Sequence, residues 1–439
     1  MQGNQKSLFK LFVPICLETL LFMLTGAVDT LMLSSVSDNA VGAVGTANTY
    51  IGMFIMMFGI ISSGMMAVMT QYIGAGKPGI AYQARQLGVL FNGALGLLLG
   101  GILFFLGDSV LTTVGVADAL LEPAKSYLQI VGGCCFLNAI IPIFSNYLKA
   151  FGFMKMPLIG TISANILNAV LNALFLFVFD MGVVGVALAT VISRIVNLLI
   201  VSISSLILVK AKEDPNRLPR RQVLGQIIQI GLPSALESTL YSIAMTFIVR
   251  FLNQMDAEGL NVTARSYTIQ ITNFSYCIGA ALAQANAIMT GWRIGAKEYD
   301  ACDKGTKKAA IIGIVIAAIV ESILALSADF IMPLFTDDPI MIDLVGKLLF
   351  IDIFLEVGRV TNLVYVNALK TSGDAVFPAI MATIFMFLCA VGGTYFFGIH
   401  LGFMAVGAYI GLAADECIRA VAMIIRWKTG IWKTKRIVR

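Results

Sequence analysis

The sequence lacks the residues on which most enzyme active sites depend. Its only histidine among 439 residues is His400, and no nucleophile lies near it in sequence. The seven cysteines show no Cys-x-x-Cys spacing, and the adjacent Cys134 and Cys135 lie within an apolar run, which indicates packing and not a metal site. No Gly-x-x-x-x-Gly-Lys-Ser/Thr motif is present. These absences argue against a hydrolase and against a phosphate-loop ATPase.

Charge is also scarce. Charged residues make up 13% of the chain and hydrophobic residues 58%, whereas a typical soluble domain has about 25% charged residues. Apolar runs recur with the roughly 20 residues that a spanning helix needs, and they are continuous and not alternating, which favours helices over a barrel. Spans are predicted near residues 9–33, 44–71, 87–108, 126–148, 157–179, 183–209, 226–252, 263–290, 308–332, 341–369, 376–398 and 401–426. We therefore predict an all-α membrane protein with twelve transmembrane helices.

The second half of the chain repeats the first. Three motifs return in order at offsets of 219, 221 and 221 residues: Pro14-x-x-Leu17-Glu18-Thr19 as Pro233-x-x-Leu236-Glu237-Ser238, Ile73-Gly74-Ala75 as Ile294-Gly295-Ala296, and Leu148-Lys149-x-x-Gly152 as Leu369-Lys370-x-x-Gly373. A nearly constant offset indicates duplication, and duplicated halves in a membrane are typical of secondary transporters.

The duplication predicts the domain organisation. We expect an N-terminal six-helix lobe over residues 1–209, a polar cytoplasmic linker over 210–225, and a C-terminal six-helix lobe with a basic tail over 226–439. Six is an even number, so both lobes enter the membrane in the same direction. A pseudo-two-fold axis along the membrane normal, with a cleft between the lobes, is the arrangement that follows.

The loops differ in charge on the two sides of the membrane. Lysine and arginine concentrate on the side that holds both termini, among them Lys77, Lys149, Lys155, Arg220, Arg293 and Lys433. The opposite loops carry Asp108, Asp256, Glu258, Asp337 and Asp338. The excess of positive charge predicts that both termini are cytoplasmic and that the chain is a multi-pass protein of the plasma (inner) membrane.

One group of polar residues in the first half has no equivalent in the second. Asp29 lies inside span 1, and the residue 219 positions later is Ile248. Asn168 and Asn172 lie on one face of span 5 together with Asn165, and Thr190 lies in span 6 at a similar depth. A carboxylate, two amides and a hydroxyl are hard oxygen ligands that suit a proton or an alkali cation. The alternative is a cluster of hydrogen bonds that only holds the helices together.

The second half has its own unmatched polar residues. Glu356 and Arg359 are spaced i, i+3 within span 10, and Asn362 follows one turn later. This spacing predicts an ion pair that faces protein or cleft and not lipid, either as a self-neutralising pair or as part of a substrate site. Glu18 and Glu237 are retained in both halves, which favours a scaffold role for Glu237, and Tyr241, one turn after it, is a further candidate for substrate binding.

Several motifs resemble those of the multidrug and toxic compound extrusion (MATE) family along nearly the whole chain. They are Val28-Asp29-Thr30, Gln71-Tyr72-Ile73-Gly74-Ala75-Gly76, Gly185-Val186-Ala187-Leu188-Ala189-Thr190, Gly291-Trp292-Arg293-Ile294-Gly295-Ala296, Gly373-Asp374-Ala375-Val376-Phe377-Pro378 and Ala414-Asp415-Glu416-Cys417-Ile418-Arg419. The resemblance implies export coupled to protons or sodium from a V-shaped cleft.

The resemblance also implies a coupling site in the first lobe. In the family this cation site is formed by an aspartate of span 1 and polar residues of spans 5 and 6, which Asp29, Asn168, Asn172 and Thr190 match. Many members have an aspartate where this chain has Asn172, so the choice between H⁺ and Na⁺ stays open. If the ion is Na⁺, the resemblance implies Asp29, Asn168 and Asn172 as its ligands, and no other cofactor is expected. Some members also use a glutamate of span 7 in transport, so the resemblance implies Glu237, which lies on that span, as a candidate for substrate binding.

The sequence therefore predicts a secondary active multidrug efflux antiporter and not an enzyme. It would exchange external H⁺ or Na⁺ for a small cytoplasmic compound, organic and of cationic amphiphilic character. The alternative is a flippase or exporter of a lipid-linked or peptide-like metabolite on the same fold. The expected surroundings are the lipid bilayer and a small-molecule substrate, with no nucleic acid, for a chain that acts as a monomer.

Overall fold

The computed structural model describes residues 7–35, 37–113 and 118–438, and all regular secondary structure in these ranges is helical. The predicted N-terminal lobe and basic tail also include residues 1–6 and 439, which lie outside the described ranges. The first half contains α1 (Leu8–Ser34), α2 (Asp38–Gly74), α3 (Pro78–Thr113), α4 (Asp118–Tyr127), α5 (Phe136–Ala150), α6 (Lys155–Ala173) and α7 (Gly182–Leu208). Short π-helical stretches follow α4, over Leu128–Gly132, and α6, over Leu174–Val178.

The second half has a matching set of helices. They are α8 (Arg220–Met255), α9 (Leu260–Gly295), α10 (Tyr299–Leu326), α11 (Ala328–Ile331), α12 (Pro339–Ser372), α13 (Val376–Phe385) and α14 (Met404–Lys428). Two π-helical stretches, Met386–Val391 and Thr394–His400, continue α13. Three short 3₁₀ turns occur at Ala211–Glu213, Met332–Leu334 and Ile431–Thr434.

These helices form the twelve predicted spans. Among the described residues, eight helices are long and apolar enough to cross a membrane by themselves, and α4 with α5, bent by 41°, forms a ninth. The other three spans are α9, α12 and α14, which pack on one another and carry the most polar side chains of the second half. These polar side chains lower the hydropathy of the three helices. They are tolerated inside a membrane because they are buried in protein and do not contact lipid.

Most helices are longer than the apolar runs that predicted them. Helix α3 begins at Pro78 and not near residue 87, and α8 begins at Arg220 and not near residue 226. The added turns are polar and carry residues such as Gln83 and Arg85. Hydropathy detects the part of a helix that crosses hydrocarbon, whereas the helix itself continues into the polar interface.

The lipid-facing surface is visible on α10. Four residues that recur every four positions are at least half exposed: Ile311, Val315, Ile319 and Ile323. On the same helix Gly313, Ala317 and Glu321 are buried. An apolar stripe exposed on one side, with small and polar residues buried on the other, is the pattern of a helix that separates lipid from a protein core.

The chain divides into two compact units at Gly231, inside α8. The polar linker belongs to the first unit because it is hydrogen-bonded to α3. The amide of Gly79 donates to the Asp214 carboxylate at 2.6 Å, and the side chain of Gln83 exchanges hydrogen bonds of 2.6 and 3.1 Å with the backbone of Leu218. The last residue of the first unit, Gly231, lies six residues after the predicted linker, which covers residues 210–225.

The basic tail is packed on the second unit. Trp432 is buried and stacks on Trp427 with ring centroids 4.2 Å apart. The indole nitrogen of Trp427 donates to the Asp303 carboxylate at 2.8 Å, and Arg426 forms an ion pair of 2.8 Å with Asp374. The tail thereby holds the beginning of α10 and the turn before α13.

Candidate functional site

Asp29 and Asn172, predicted from two separate spans, are in direct contact. The side-chain nitrogen of Asn172 on α6 donates to an Asp29 oxygen on α1 at 2.6 Å. Asn172 is fully buried. A carboxylate inside a span is unfavourable unless it faces protein or a cavity, so a buried amide donor is the expected partner for Asp29.

The asparagines of α6 divide into two roles. Asn168, also buried, accepts a hydrogen bond of 3.3 Å from the Asn172 amide and so joins the Asp29 pair. Asn165, one turn earlier, instead donates to the backbone oxygen of Leu21 at 2.7 Å. Two of the three asparagines on this face of α6, Asn165 and Asn172, thus contact α1. Asn165 fixes the two helices, and Asn168 and Asn172 form the polar site.

Thr190, the fourth residue of the predicted ion site, is not hydrogen-bonded to the other three. Its hydroxyl donates to the Val186 backbone oxygen at 2.8 Å and makes no direct hydrogen bond to Asp29. The hydroxyl of the buried Tyr127, at the end of α4, lies within hydrogen-bond reach of both Thr190 and Asn48. Tyr127 thus connects spans 2, 4 and 6 beside the carboxylate.

One oxygen of the cluster has no partner. The side-chain oxygen of Asn172 is buried and accepts no hydrogen bond from any described residue. An unpaired buried acceptor next to a carboxylate is unfavourable, by about 1–3 kcal/mol for a neutral group. A bound proton donor or a cation would satisfy it, so the geometry suits either of the two ions that the sequence left open.

Arg194 places a positive charge near this site. It is the only charged residue of α7, lies one turn beyond Thr190, and acts electrostatically on Asp29. Among the described residues it forms no ion pair. A single arginine inside an apolar span is a signal that the sequence offers, because an intramembrane charge is unfavourable without a function or a partner.

The helices change their winding next to these residues. The π-helical stretch Leu128–Gly132 begins directly after Tyr127, and the stretch Leu174–Val178 begins two residues after Asn172. A π-helical turn widens a helix and shifts the side chains that follow it, and such turns are frequent at functional sites. Two of them thus lie beside the cluster.

A second polar network lies in the core of the second unit. Arg359 on α12 donates to Glu356 one turn earlier, which confirms the predicted ion pair. The same arginine lies 3.6 Å from Glu416 on α14, and Glu416 is in turn 2.8 Å from Arg419. Glu356 has no exposed surface, so the pair faces protein and not lipid.

The network extends along α14. Arg419 forms a bidentate pair with Asp415, with distances of 2.6 and 2.9 Å. Asn362 donates to the second oxygen of Glu416 at 3.0 Å. Glu356, Glu416 and Asp415 therefore share two guanidinium groups, which leaves the network with more carboxylates than cations.

Two more carboxylates add to this excess. Asp352, one turn before Glu356, and Glu321 on α10, next to Ser275, are both buried. One oxygen each of Asp352, Glu356 and Asn362 accepts no hydrogen bond from a described residue. Buried anions that outnumber their cations require protons or a bound positive charge.

Glu237 and Tyr241 have different surroundings. The Glu237 carboxylate lies 2.7 Å from the ammonium group of Lys370. Tyr241 is exposed and lies close enough to Arg359 to affect it electrostatically. Of the predicted substrate residues, Glu356, Arg359 and Asn362 are thus brought into one network, Tyr241 borders it, and Glu237 has a partner of its own.

Comparisons with known proteins agree with this architecture. The family model described as MatE matches residues 14–174 and 233–396, one match in each half. The uncharacterized transporter YisQ of Bacillus subtilis is 35% identical over 98% of this chain and 95% of its own length. The probable multidrug resistance protein NorM of Thermotoga maritima is 24% identical over 99% of this chain and 94% of its own length.

A solved structure shows the same fold. It is described as the outward-facing conformation of a multidrug resistance MATE family transporter of the MOP superfamily. Its TM-score to this chain is 0.88 at 20% identity, and the match covers 99% of both chains. At this identity the likeness concerns the fold: an all-α, twelve-helix, two-lobe membrane protein.

Proposed function

Because this chain belongs to the MatE family of membrane transporters, we propose that it is a secondary active antiporter that exports small organic compounds in exchange for H⁺ or Na⁺. The resemblance noted in the sequence is thereby confirmed at the level of the family, and the chain is a transporter and not an enzyme. The relatives named as multidrug resistance proteins support drug-like compounds as its substrates.

The observation that carries the proposal is the contact between Asp29 and Asn172. A carboxylate and a buried amide 2.6 Å apart, with the amide oxygen left unpaired, form an incomplete polar site. A proton on Asp29 would remove its charge, whereas Na⁺ would bind the oxygens of Asp29, Asn168 and Asn172. Either ion neutralises one carboxylate, so the two ions would compete for the same residues.

Coupling then follows from linkage. An ion that binds Asp29 more tightly in one conformation shifts the equilibrium toward that conformation, and a substrate that prefers the other shifts it back. Tyr127 on α4 lies close enough to Asp29 to feel its charge, so a change in the charge of Asp29 would also act on α4. The π-helical turns beside Tyr127 and Asn172 give these spans two places at which their winding can change.

The acid-rich network of the second unit supports a cationic substrate. Glu356, Glu416 and Asp415 exceed the two arginines that they contact, and Asp352 adds a further buried carboxylate. A positively charged compound would compensate this excess, and Tyr241 and Tyr276 would supply aromatic faces for its apolar part. Tyr276 already lies with its ring centroid 5.8 Å from the Arg359 guanidinium carbon.

The cellular setting follows from the same features. We propose a monomer in the plasma membrane with both termini cytoplasmic, because lysine and arginine concentrate on the side of the termini. External H⁺ or Na⁺ would then enter as the substrate leaves the cytoplasm. No resident cofactor is needed for this cycle, since the ion gradient supplies the free energy.

The decisive experiment compares wild type with Asp29→Asn in reconstituted vesicles. Export of a fluorescent organic cation is followed under a pH gradient alone and under a sodium gradient alone. We expect wild type to respond to at least one gradient and Asp29→Asn to lose that response, with its thermal stability close to wild type because the amide has the same volume. The matched control is Asp180→Asn, at an exposed carboxylate in a loop. Asp180 has a positive φ, a conformation that asparagine also adopts readily.

Two outcomes would contradict the proposal. Gradient-driven export that persists in Asp29→Asn would remove the carboxylate from the coupling mechanism and leave a hydrogen-bond cluster that only holds helices together. Transport that is independent of both gradients in wild type would favour the flippase on the same fold.

A further inference from the structure

A pocket at the beginning of α1 is separate from both polar networks. It has a volume of about 590 Å³ and lies between the first turns of α1 and the turn that leads into α6. Its apolar lining includes Phe9, Val13, Phe153 and Met154. Met154 is buried, and Phe9 and Val13 are about half exposed. The pocket therefore opens on the surface of the first unit, beside a helix that is apolar enough to cross a membrane.

Positive charge borders this apolar lining. Lys10 and Lys155 both line the pocket and both are exposed, and none of the described residues that line it is acidic. Lys10 lies in the first turn of α1, and Lys155 is the first residue of α6. Neither lysine forms an ion pair with a described residue. Two free ammonium groups beside an apolar pocket fit an anionic group that carries a hydrocarbon chain.

The helix ends add to the positive field. Helices α1 and α6 both begin at the pocket, and the residues that precede them, Ser7 and Met154, make no side-chain capping hydrogen bond. The first amide groups of a helix carry a partial positive charge and bind anions such as phosphate. The lysines and both helix dipoles thus act in the same direction.

The backbone before α6 holds this geometry. Gly152, two residues after the end of α5, has the left-handed conformation, at φ +82. The amides of Gly152 and Phe153 donate to the backbone oxygens of Lys149 and Leu148, each at 2.9 Å. This closed turn sets Phe153 and Met154 in place, and glycine is favoured there because a side chain at positive φ is strained.

The duplicated half lacks the basic pair. At the offsets of the repeat, Lys10 corresponds to Gln229, Lys155 to Val376 and Phe153 to Asp374. Asp374 is occupied by its ion pair with Arg426. The shared scaffold therefore does not require lysines at these positions, and their presence in the first half alone indicates a separate task.

We infer that this pocket binds an anionic phospholipid of the cytoplasmic leaflet, with its phosphate between Lys10 and Lys155 and an acyl chain along Phe9, Val13 and Phe153. The leaflet assignment rests on the orientation given under the proposed function. Anionic lipids are concentrated at the cytoplasmic surface and attract basic side chains there. Acyl-chain burial on the apolar lining would add the hydrophobic contribution that a free phosphate lacks.

Lipid retention measured by native mass spectrometry tests the inference without any transport assay. The purified full chain is exchanged into detergent with phosphatidylglycerol or phosphatidylcholine, and retained lipid is counted for wild type and for Lys10→Gln, Lys155→Val. These replacements are the residues of the second half, and both positions are exposed, so folding should be preserved and is checked by thermal unfolding. Lys210→Gln, Lys428→Gln removes two exposed lysines elsewhere and keeps the net charge matched.

We expect wild type to retain phosphatidylglycerol in preference to phosphatidylcholine. The pocket variant should lose about 25-fold in affinity for phosphatidylglycerol, since each of the two basic side chains contributes a factor of about five at an anionic surface. The control variant should change less than about twofold. An additional Phe153→Ser change should weaken retention of the long-chain lipid further.

Three results would overturn the inference. Equal losses in the pocket and control variants would mean a diffuse attraction to the basic surface. Equal retention of the two lipids by wild type would mean an apolar pocket without headgroup recognition. Displacement of the lipid by millimolar inorganic phosphate would assign the site to a free anion. Loss of lipid binding with intact transport would leave the antiport proposal untouched, and the reverse also holds.

Discussion

The carboxylate of Glu237 lies 2.7 Å from the ammonium nitrogen of Lys370, joining α8 to α12. The first half repeats this contact between Glu18 and Lys149, at 3.0 Å, joining α1 to α5. Both pairs come from motifs that recur along the chain, and all four side chains are mostly buried. A contact that is present twice belongs to the common scaffold, so the sequence-based placement of Glu237 at a substrate site competes here with a structural role.

The first prediction separates these two roles. Glu237→Gln should lower the free energy of unfolding by roughly 1.5–3 kcal/mol, because it leaves the ammonium group of Lys370 with a neutral partner. Adding Lys370→Met should recover part of that loss. Thermal unfolding of the two single variants and the double variant gives the coupling energy.

Glu258→Gln, at an exposed loop carboxylate, is the control and should leave stability unchanged. If Glu237→Gln abolishes binding of a fluorescent cation while its unfolding curve matches wild type, Glu237 contacts the substrate and the scaffold role is wrong.

The fold was predictable because its main determinants are local in sequence. Continuous apolar runs identify spans, and the nearly constant offset between Pro14 and Pro233 identifies the duplication. The boundaries were less predictable. The hydrogen bond from the Gly79 amide to the Asp214 carboxylate joins residues 135 positions apart, and no local sequence pattern predicts it.

The candidate sites show the same limit. Comparison of the halves identified Asp29 and Asn172, whose contact spans 143 positions, because a polar residue without an equivalent is visible in sequence. Tyr127 was not identified, because a tyrosine at a span end is common and only packing brings it to Thr190. The sequence does offer a signal for Arg194, because it is a charge inside an apolar span. The π-helical turns have no periodicity that hydropathy detects.

The second prediction concerns the linker. Partial burial acts to raise the pKa of Asp214, but hydrogen bonds from the Gly79 amide and from Asn216 outweigh it, so the pKa lies below the ordinary value of 3.8. A carboxyl group with a depressed pKa stabilises the folded state above its unfolded pKa, and this contribution is lost as the pH falls through the folded value. Protection of the Gly79 and Leu218 amides should therefore decrease as the pH falls below about 3.8.

Hydrogen exchange, corrected for the intrinsic effect of pH, measures this protection. Asp214→Asn should show weak protection already at neutral pH, with little further change on acidification. Glu213→Gln, at the neighbouring exposed acid, should behave like wild type. Unchanged protection in Asp214→Asn would mean that Gln83 alone holds the linker.

The third prediction concerns Arg194. The positive charge of Arg194 near Asp29 opposes the binding of Na⁺ there. Arg194→Gln should therefore tighten sodium binding about tenfold, the size expected for two charges separated by more than ion-pair distance. Sodium binding is measured as the rise in unfolding temperature in sodium chloride relative to choline chloride. Arg250→Gln, at an exposed arginine of the second half, is the matched control. A sodium response identical to wild type would place Arg194 outside the electrostatic field of the site.

The last prediction uses the position at which this chain departs from many members of the family. In wild type the side-chain nitrogen of Asn172 lies 2.6 Å from an Asp29 oxygen. Asn172→Asp replaces this amide with a second carboxylate beside Asp29. Two adjacent carboxylates repel unless a cation or proton lies between them. The variant should therefore bind sodium at least about tenfold more tightly. Asn165→Asp, on the same face of α6, should gain no sodium binding, because Asn165 contacts the backbone of Leu21 and not Asp29.

A double variant tests whether position or number of carboxylates matters. Asp29→Asn with Asn172→Asp moves the single carboxylate from α1 to α6 and leaves the charge of the site unchanged. If the site needs only one carboxylate among its oxygens, the double variant should regain part of the gradient-driven export that Asp29→Asn loses. If export stays absent while sodium still raises the unfolding temperature, ion binding is retained but its coupling to transport requires the carboxylate on α1.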